Sequence, residues 1–310
     1  MNIIGHKKVI EGFYKSINRD TLSHAHLIIG EEGIGKSLLA RKFAFEILGV
    51  PEQKDYVDII HYKSNKSSFG IDTVREIISE ANKKPYANDK KVIILYEGEK
   101  LTVQAQNALL KTIEEPQKGI FIIILSENGE LILETIKSRC QIHRLIPLKR
   151  LEMMEFLKVN YPDLKDENLI KTLLAFAEGV PGQIEKFLKD DQFNNLRLVI
   201  INFLMELSST SQYIALKYSD IFMSFKNKED EIFSTIVSFV RDIIIYKELE
   251  EKSSIINGDK LEEIKQLSNM LSYKELSRII SKVDEARINL KSNTNSWSTF
   301  NTMLINILEE

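Results

Sequence analysis

The sequence predicts an α/β domain followed by an all-helical C-terminal half. Three observations carry this. Short apolar runs alternate with helical periodicity through residue 148. The runs stop after Pro147. A glycine-rich loop joins the first run to the first strong helical pattern. Fully apolar strands alternating with helices read as a parallel sheet covered on both faces.

The elements follow in order. His26–Ile29 is the first expected strand. Lys36–Leu48 is a helix, with Leu39, Phe43 and Ile47 at four-residue spacing. Val57–His61 and Val92–Tyr96 are the next strands. Thr102–Glu115 is helical, with Leu109, Leu110 and Ile113 on one side, and Ile120–Leu125 and Gln141–Ile146 complete the sheet. From Leu151 onward the pattern is helical, broken at Tyr161-Pro162, Gly179–Gly182, Ser208–Ser211 and Asn257-Gly258. The expected parts are an α/β domain (1–148), a small helical domain (149–190) and a larger helical domain (191–310).

Composition narrows the function classes. The chain has 310 residues, 43% hydrophobic and 28% charged, the mix of a globular protein with a sizeable core. One cysteine, Cys140, forbids an intrachain disulfide and fits a reducing cytoplasm. Met1–His6 lacks a basic segment followed by an apolar core, so no secretory leader is expected. No apolar run approaches the ~20 residues of a membrane span. Residues 1–150 carry 23 basic and 19 acidic residues, and 151–310 carry 19 and 26. A net charge of −3 is not the footprint of a strongly basic nucleic-acid binder. Lys83-Lys84 and Lys90-Lys91 bracket a loop that could touch DNA, or simply be solvated.

Gly30-Glu31-Glu32-Gly33-Ile34-Gly35-Lys36-Ser37 matches the P-loop pattern G-x-x-x-x-G-K-[ST], with a strand before it and a helix after it. Gly30, Gly33 and Gly35 let the backbone fold into a nest of N–H groups, joined by those of Ile34 and Leu38 at the helix start. Lys36 is expected to reach the β- and γ-phosphates of ATP or ADP. The Ser37 hydroxyl is expected to ligate Mg²⁺. A P-loop enzyme also needs a second strand ending in an acid that holds the metal. Val92–Leu95 is followed instead by Tyr96, neutral at pH 7. Glu97 could polarise a water as a general base, or be a solvated loop carboxylate.

The remaining signals are weak. The five histidines show no metal-site spacing, residues 49–70 contain no cysteine, and no zinc is expected. His24 and His26 read as structural. Trp297 reads as a packing anchor between helices, and Cys140 as a small core residue.

Ile4-Gly5-His6, Ser23–His26, the run Ala105–Pro116 and Ser138-Arg139-Cys140 resemble the clamp-loader family of AAA+ ATPases. The likeness is dense over 1–190 and thinner beyond, where Val283–Asn295 is similar to the family's C-terminal helix. It implies an AAA+ domain, a helical lid and a helical collar. It implies a heteropentamer with partner subunits of gamma/tau and delta type, which opens a sliding clamp and places it on primed DNA in the cytoplasm. It also implies that Arg139 is an arginine finger completing a neighbour's ATP site. Ser126, after the fourth strand, matches the sensor 1 region, with Asn128 as second choice. Gly179–Gln183 matches the sensor 2 motif Gly-x-x-Arg, with Gln183 in place of the arginine. Tyr96 and Gln183 argue against efficient hydrolysis, so a stator-like subunit is expected. A motor ATPase subunit, another DNA-remodelling ATPase, or a non-catalytic interaction module are the alternatives.

Overall fold

Five of the apolar runs form one parallel sheet. Its strands are β1 (Ala25–Ile29), β2 (Ile59–Tyr62), β3 (Lys91–Leu95), β4 (Ile120–Ser126) and β5 (Gln141–Arg144), in the order β2-β3-β4-β1-β5. A computed structural model describes residues 3–52, 55–63, 69–87, 89–207, 213–250, 254–292 and 294–309. Strand ends shift by one or two residues from the expectation: β2 starts at Ile59 rather than Val57, and β5 stops pairing at Arg144 rather than Ile146. Pro147, with no N–H to donate, follows closely.

Helices α1 (Lys7–Asn18), α2 (Lys36–Leu48), α3 (Ile71–Ala81), α4 (Val103–Glu114), the single turn α5 (Glu134–Lys137) and α6 (Arg150–Asn160) belong to the same unit. Side chains alternate across a strand. One sheet face therefore buries Leu27, Ile93, Leu95, Ile122 and Ile124 with Ile77 of α3 and Leu109 of α4. The other buries Ile28, Val92, Ile94, Ile123 and Leu125 with Phe13 of α1 and Phe43 of α2. Each such side chain contributes about 1.5–3 kcal/mol. Gly49, at φ 67°, ends α2, with its N–H and that of Val50 returned to carbonyls of the last turn. Thr102 caps α4 by accepting from the Ala105 N–H.

The helical half continues with α7 (Glu167–Ala177), α8 (Pro181–Lys189), α9 (Asp191–Glu206), α10 (Tyr213–Ser224), α11 (Glu229–Leu249), α12 (Leu261–Met270), α13 (Tyr273–Lys291) and α14 (Ser296–Leu308). The chain divides into two compact units: Met1–Pro162 with Glu178–Gly182, and Asp163–Ala177 with Gln183–Glu310. The second has its own core around Phe203, Phe222, Phe233, Phe239 and Phe300. A buried polar joint fixes its 255–259 segment. Asp242 accepts from the backbone of Ile256 and Asn257, and Arg197 donates to Asn257 and to both oxygens of Asp259. Among the described residues no helix is long and apolar enough to cross a membrane.

Several expectations need adjustment. The proposed break at Gly179–Gly182 is shorter, because Pro181 opens α8, where its missing N–H costs nothing. The break at Ser208–Ser211 lies outside the described residues. The similarity over Val283–Asn295 is not one helix: α13 ends at Lys291, and Asn295 caps α14 through the Ser298 N–H. Trp297 stands at the rim of the helical core, its indole donating to Asp220 of α10 at 2.9 Å. Cys140 packs partly buried against the sheet, and burial pushes its thiol up to about 12.

One lysine of each basic pair is tied to Glu80. Lys91 is 0% exposed, with its ammonium 2.8 Å from Glu80 Oε1 and 4.6 Å from the Tyr86 ring centre. Lys83 pairs with the same carboxylate at 2.8 Å. A DNA contact by these two lysines would first have to break those bonds.

His26 and His143 meet on neighbouring strands, nitrogen to nitrogen at 3.1 Å, beside Phe13 and Phe43. Burial holds both rings neutral, pushing His26 down to about 3 and His143 to about 4. The unfolded chain binds protons at these rings near pH 6.5, and the folded chain does not. Stability is therefore complete above pH 6.5 and is lost as pH falls toward 4. The expected slope is about 1.4 kcal/mol per pH unit for each ring that stays neutral. Denaturant midpoints of the wild type should fall between pH 6.5 and 4.5, and less steeply for His143→Gln.

Candidate nucleotide site and an exposed arginine

The loop after β1 is built for close backbone approach. Gly30 N–H donates to Ser126 O at 3.1 Å, and Leu145 N–H donates to Ile29 O at 2.8 Å, so β4 and β5 clamp the strand end. Gly33 and Gly35 take φ of 82° and 103°, which side chains resist. Helix α2 then starts with no side-chain cap, leaving its first N–H groups unpaired in the helix. Positive-φ glycines beside uncapped amides at a helix N-terminus fit phosphate oxygens. Gly30, Gly33, Ile34, Gly35, Lys36, Ser37 and Leu38 are thereby brought together.

Lys36 sits among these groups. Its ammonium donates to Gly30 O at 2.6 Å and Glu31 O at 2.9 Å, and lies 3.9 Å from Glu127. Burial pulls its pKa down, against the fields of Glu127, Glu99, Glu32 and Glu31. Burial pushes Glu127 up, against the attraction of Lys36. Phosphate oxygens would replace the loop carbonyls as partners of the Lys36 ammonium.

The acid needed for the metal is missing. Tyr96 follows β3, its hydroxyl 3.0 Å from His61 Nδ1, and burial raises its pKa, so it is neutral. Glu97 stands next, with a left-handed φ of 55°. One of its oxygens lies 3.0 Å from the Lys100 ammonium, and the other is buried with no hydrogen bond among the described residues. Ser126 is fully buried at the end of β4, opposite Ile29, but its hydroxyl donates to Asn128 O at 3.0 Å. Asn128 is used as a cap, accepting from the Glu130 N–H.

The sensor 2 register needs correction. Counting Gly-x-x-Arg from Gly179 puts the arginine position at Gly182, not Gln183. The structure agrees on which residue meets the loop: Gly182 N–H donates to Gly33 O at 2.9 Å. A Cβ on Gly182 would lie 2.5 Å from Gly33 Cα. The two glycines touch backbone to backbone.

Arg139 lies elsewhere. It precedes β5, whose Gln141 pairs with His26 at the start of β1, whereas Arg144 pairs with Ile29 at its end. At about 3.3 Å per residue, roughly 13 Å of strand separates the level of Gln141 from Gly30. Arg139 is thus at the opposite end of the sheet from Lys36. Its side chain is 37% exposed, ion-paired with Glu114 and donating to Thr135 O at 2.8 Å.

Sequence reasoning missed two groups at the loop. His6 donates to Ile34 O at 3.1 Å, and Gly5 is pressed against Leu148 at φ 81°. Gly179 in turn accepts from the Leu148 N–H at 2.7 Å. The only signal was the Ile4-Gly5-His6 triplet, which has no spacing rule tying it to residue 34.

A parallel sheet ordered β2-β3-β4-β1-β5, a P-loop after β1 and an all-helical C-terminal half define an AAA+ protein. Residues 5–149 match the family described as DNA polymerase III, delta subunit, and residues 192–306 match DNA polymerase III, delta subunit, C terminal. The DNA polymerase III subunit delta' of Bacillus subtilis is 24% identical over 93% of this chain and 92% of its own. The Replication factor C small subunit of Methanococcus maripaludis is 30% identical over 50% of this chain and 49% of its own. The chain spans about half the length of the other curated relatives it matches, from 49% to 55%. A solved gamma subunit-related protein from Thermotoga maritima overlaps 94% of this chain and 97% of its own, at 16% identity and a TM-score of 0.46. Together these matches support a delta-prime-like subunit of the DNA polymerase III clamp loader.

Proposed function

We propose that this chain is a stator-like subunit of a bacterial clamp loader. It helps ATP-dependent loading of a sliding clamp onto primed DNA, and it lends Arg139 to a neighbour's ATP site. The observation that carries this is the position of Arg139, exposed at the end of the sheet away from the chain's own P-loop. A planar, permanently charged guanidinium suits the charge that develops on a γ-phosphate. The partners in this reading are gamma/tau-type and delta-type subunits in a heteropentamer in the cytoplasm. The working division is 1–148 for the nucleotide domain, 149–190 for the lid and 191–310 for the collar.

In the chain's own site, Lys36 and the amides of residues 33–38 would hold the phosphates of ATP or ADP, and Ser37 a Mg²⁺. The ion would supply charge for the phosphates, and no zinc is needed. Glu97 is the candidate base and Ser126 the candidate sensor. Tyr96 removes a metal-positioning charge and Gly182 removes a γ-phosphate contact, so turnover by the isolated chain should be poor. This opposes the motor ATPase and DNA-remodelling readings.

Co-expression with gamma/tau-type and delta-type subunits, followed by mass measurement of the intact assembly, tests the reading. A defined hetero-oligomer containing this chain is expected. Robust Mg²⁺-dependent ATPase by the chain alone on primed DNA would instead favour the motor reading.

A further inference from the structure

We propose that Glu114 is the positioning residue for Arg139, an inference that rests on the trans-finger reading above. Glu114 closes α4, and Arg139 follows α5, so the pair joins two segments 25 residues apart in sequence. The guanidinium has three nitrogens. Nε is paired with the Glu114 carboxylate. Nη1 donates to Thr135 O at 2.8 Å and lies 3.3 Å from Ser138 Oγ. Nη2 makes no hydrogen bond among the described residues. Two anchored nitrogens fix the plane of the fork and leave the third to an incoming anion.

The backbone on both sides is held by the core. Ile113 and Ile136, next to the two functional segments, are both 0% exposed. The ring of His24 donates to Ile113 O at 2.5 Å, tying the end of α4 to the start of β1. The Arg139 N–H donates to Ile136 O at 3.0 Å. An exposed pair on such a frame adds little stability, because surface ion pairs contribute about 0–1 kcal/mol. Its effect is orientation. A misplaced charge of about 1 Å can cost roughly 100-fold in rate. Arg139 is charged with or without Glu114, so the loss of Glu114 removes alignment and not charge.

The test is a double-mutant cycle in the assembled clamp loader, reading kcat and KM for ATP hydrolysis. Glu114→Ala should lower kcat by roughly 10-fold, with KM for ATP unchanged, since a finger acts in the transition state. Glu114→Gln keeps an oxygen that accepts from Nε and should recover most of kcat. Glu114→Ala added to Arg139→Ala should cost nothing further. Glu134→Gln, which removes an exposed acid paired with Lys137 on α5, is the control and should match wild type. If Arg139→Ala itself has no effect, the finger reading fails and takes this one with it. If Arg139→Ala lowers kcat but Glu114→Ala does not, the positioning role alone is overturned. An equal loss from Glu114→Ala in the Arg139→Ala background also overturns it.

Discussion

Arg139→Ala is expected to leave the chain folded and able to assemble, and to cut the ATPase and clamp-loading rates of the complex. Folding should survive because the side chain is exposed and its carboxylate partner is equally exposed. Such a pair contributes about 0–1 kcal/mol. The site that Arg139 serves should lose on the order of 10³ or more in rate, the usual contribution of an arginine finger. The assembly as a whole loses less if other subunits bring their own fingers. Arg139→Lys should rescue little, because an ammonium has no planar fork to spread over three phosphate oxygens. Arg144→Ala is the control: Arg144 is also exposed on the same segment, but at the other end of β5. Single-turnover ATP hydrolysis by the purified assembly, with its mass checked, decides the matter. Wild-type rates in Arg139→Ala, or an unfolded chain, would make Ser138-Arg139-Cys140 structural.

Local chemistry was the legible part of this chain. The three central strands are largely apolar because they are buried on both faces, so they stand out without any long-range knowledge, whereas the edge strands β2 and β5 are partly exposed. The P-loop is legible because its glycines answer a local backbone demand at Gly33 and Gly35. Contacts made across the sheet were not. Nothing in the spacing of Lys83, Lys90 and Lys91 separates a solvated lysine from Lys91, which is buried against Glu80. The pairing of His26 with His143 needs the register of β1 against β5, which no single run encodes. In the sequence Glu114 is one residue of the Ala105–Pro116 run, and nothing local ties it to Arg139, which lies 25 residues further on. Gln183 stands one residue beyond the arginine position, which Gly182 occupies with no side chain to reach a phosphate.

That missing side chain leads to a second large effect, at Gly182. Gly182→Ala would put a Cβ 2.5 Å from Gly33 Cα, in a joint where both sides are backbone. Neither side can rotate away as the far end of a flexible side chain would. The opening of α8 or the P-loop must therefore shift, and the bond from Gly182 N–H to Gly33 O must lengthen or break. Overpacking of this kind costs about 1–3 kcal/mol. In a unit of this size that corresponds to about 2–4 °C in melting temperature for each kcal/mol. Gly12→Ala is the matching control. Gly12 is inside α1, and a Cβ there would meet nothing within 4 Å. That variant should hold or gain about 0.5–1 kcal/mol, because alanine suits a helix interior better. Calorimetry of the two variants beside wild type separates the cases, and titration with ADP adds a second reading. Gly182→Ala should lower the melting temperature and weaken ADP binding together, because Gly33 belongs to the same loop as Lys36. A Gly182→Ala chain that melts and binds as wild type would show that the glycine contact is not what holds the loop.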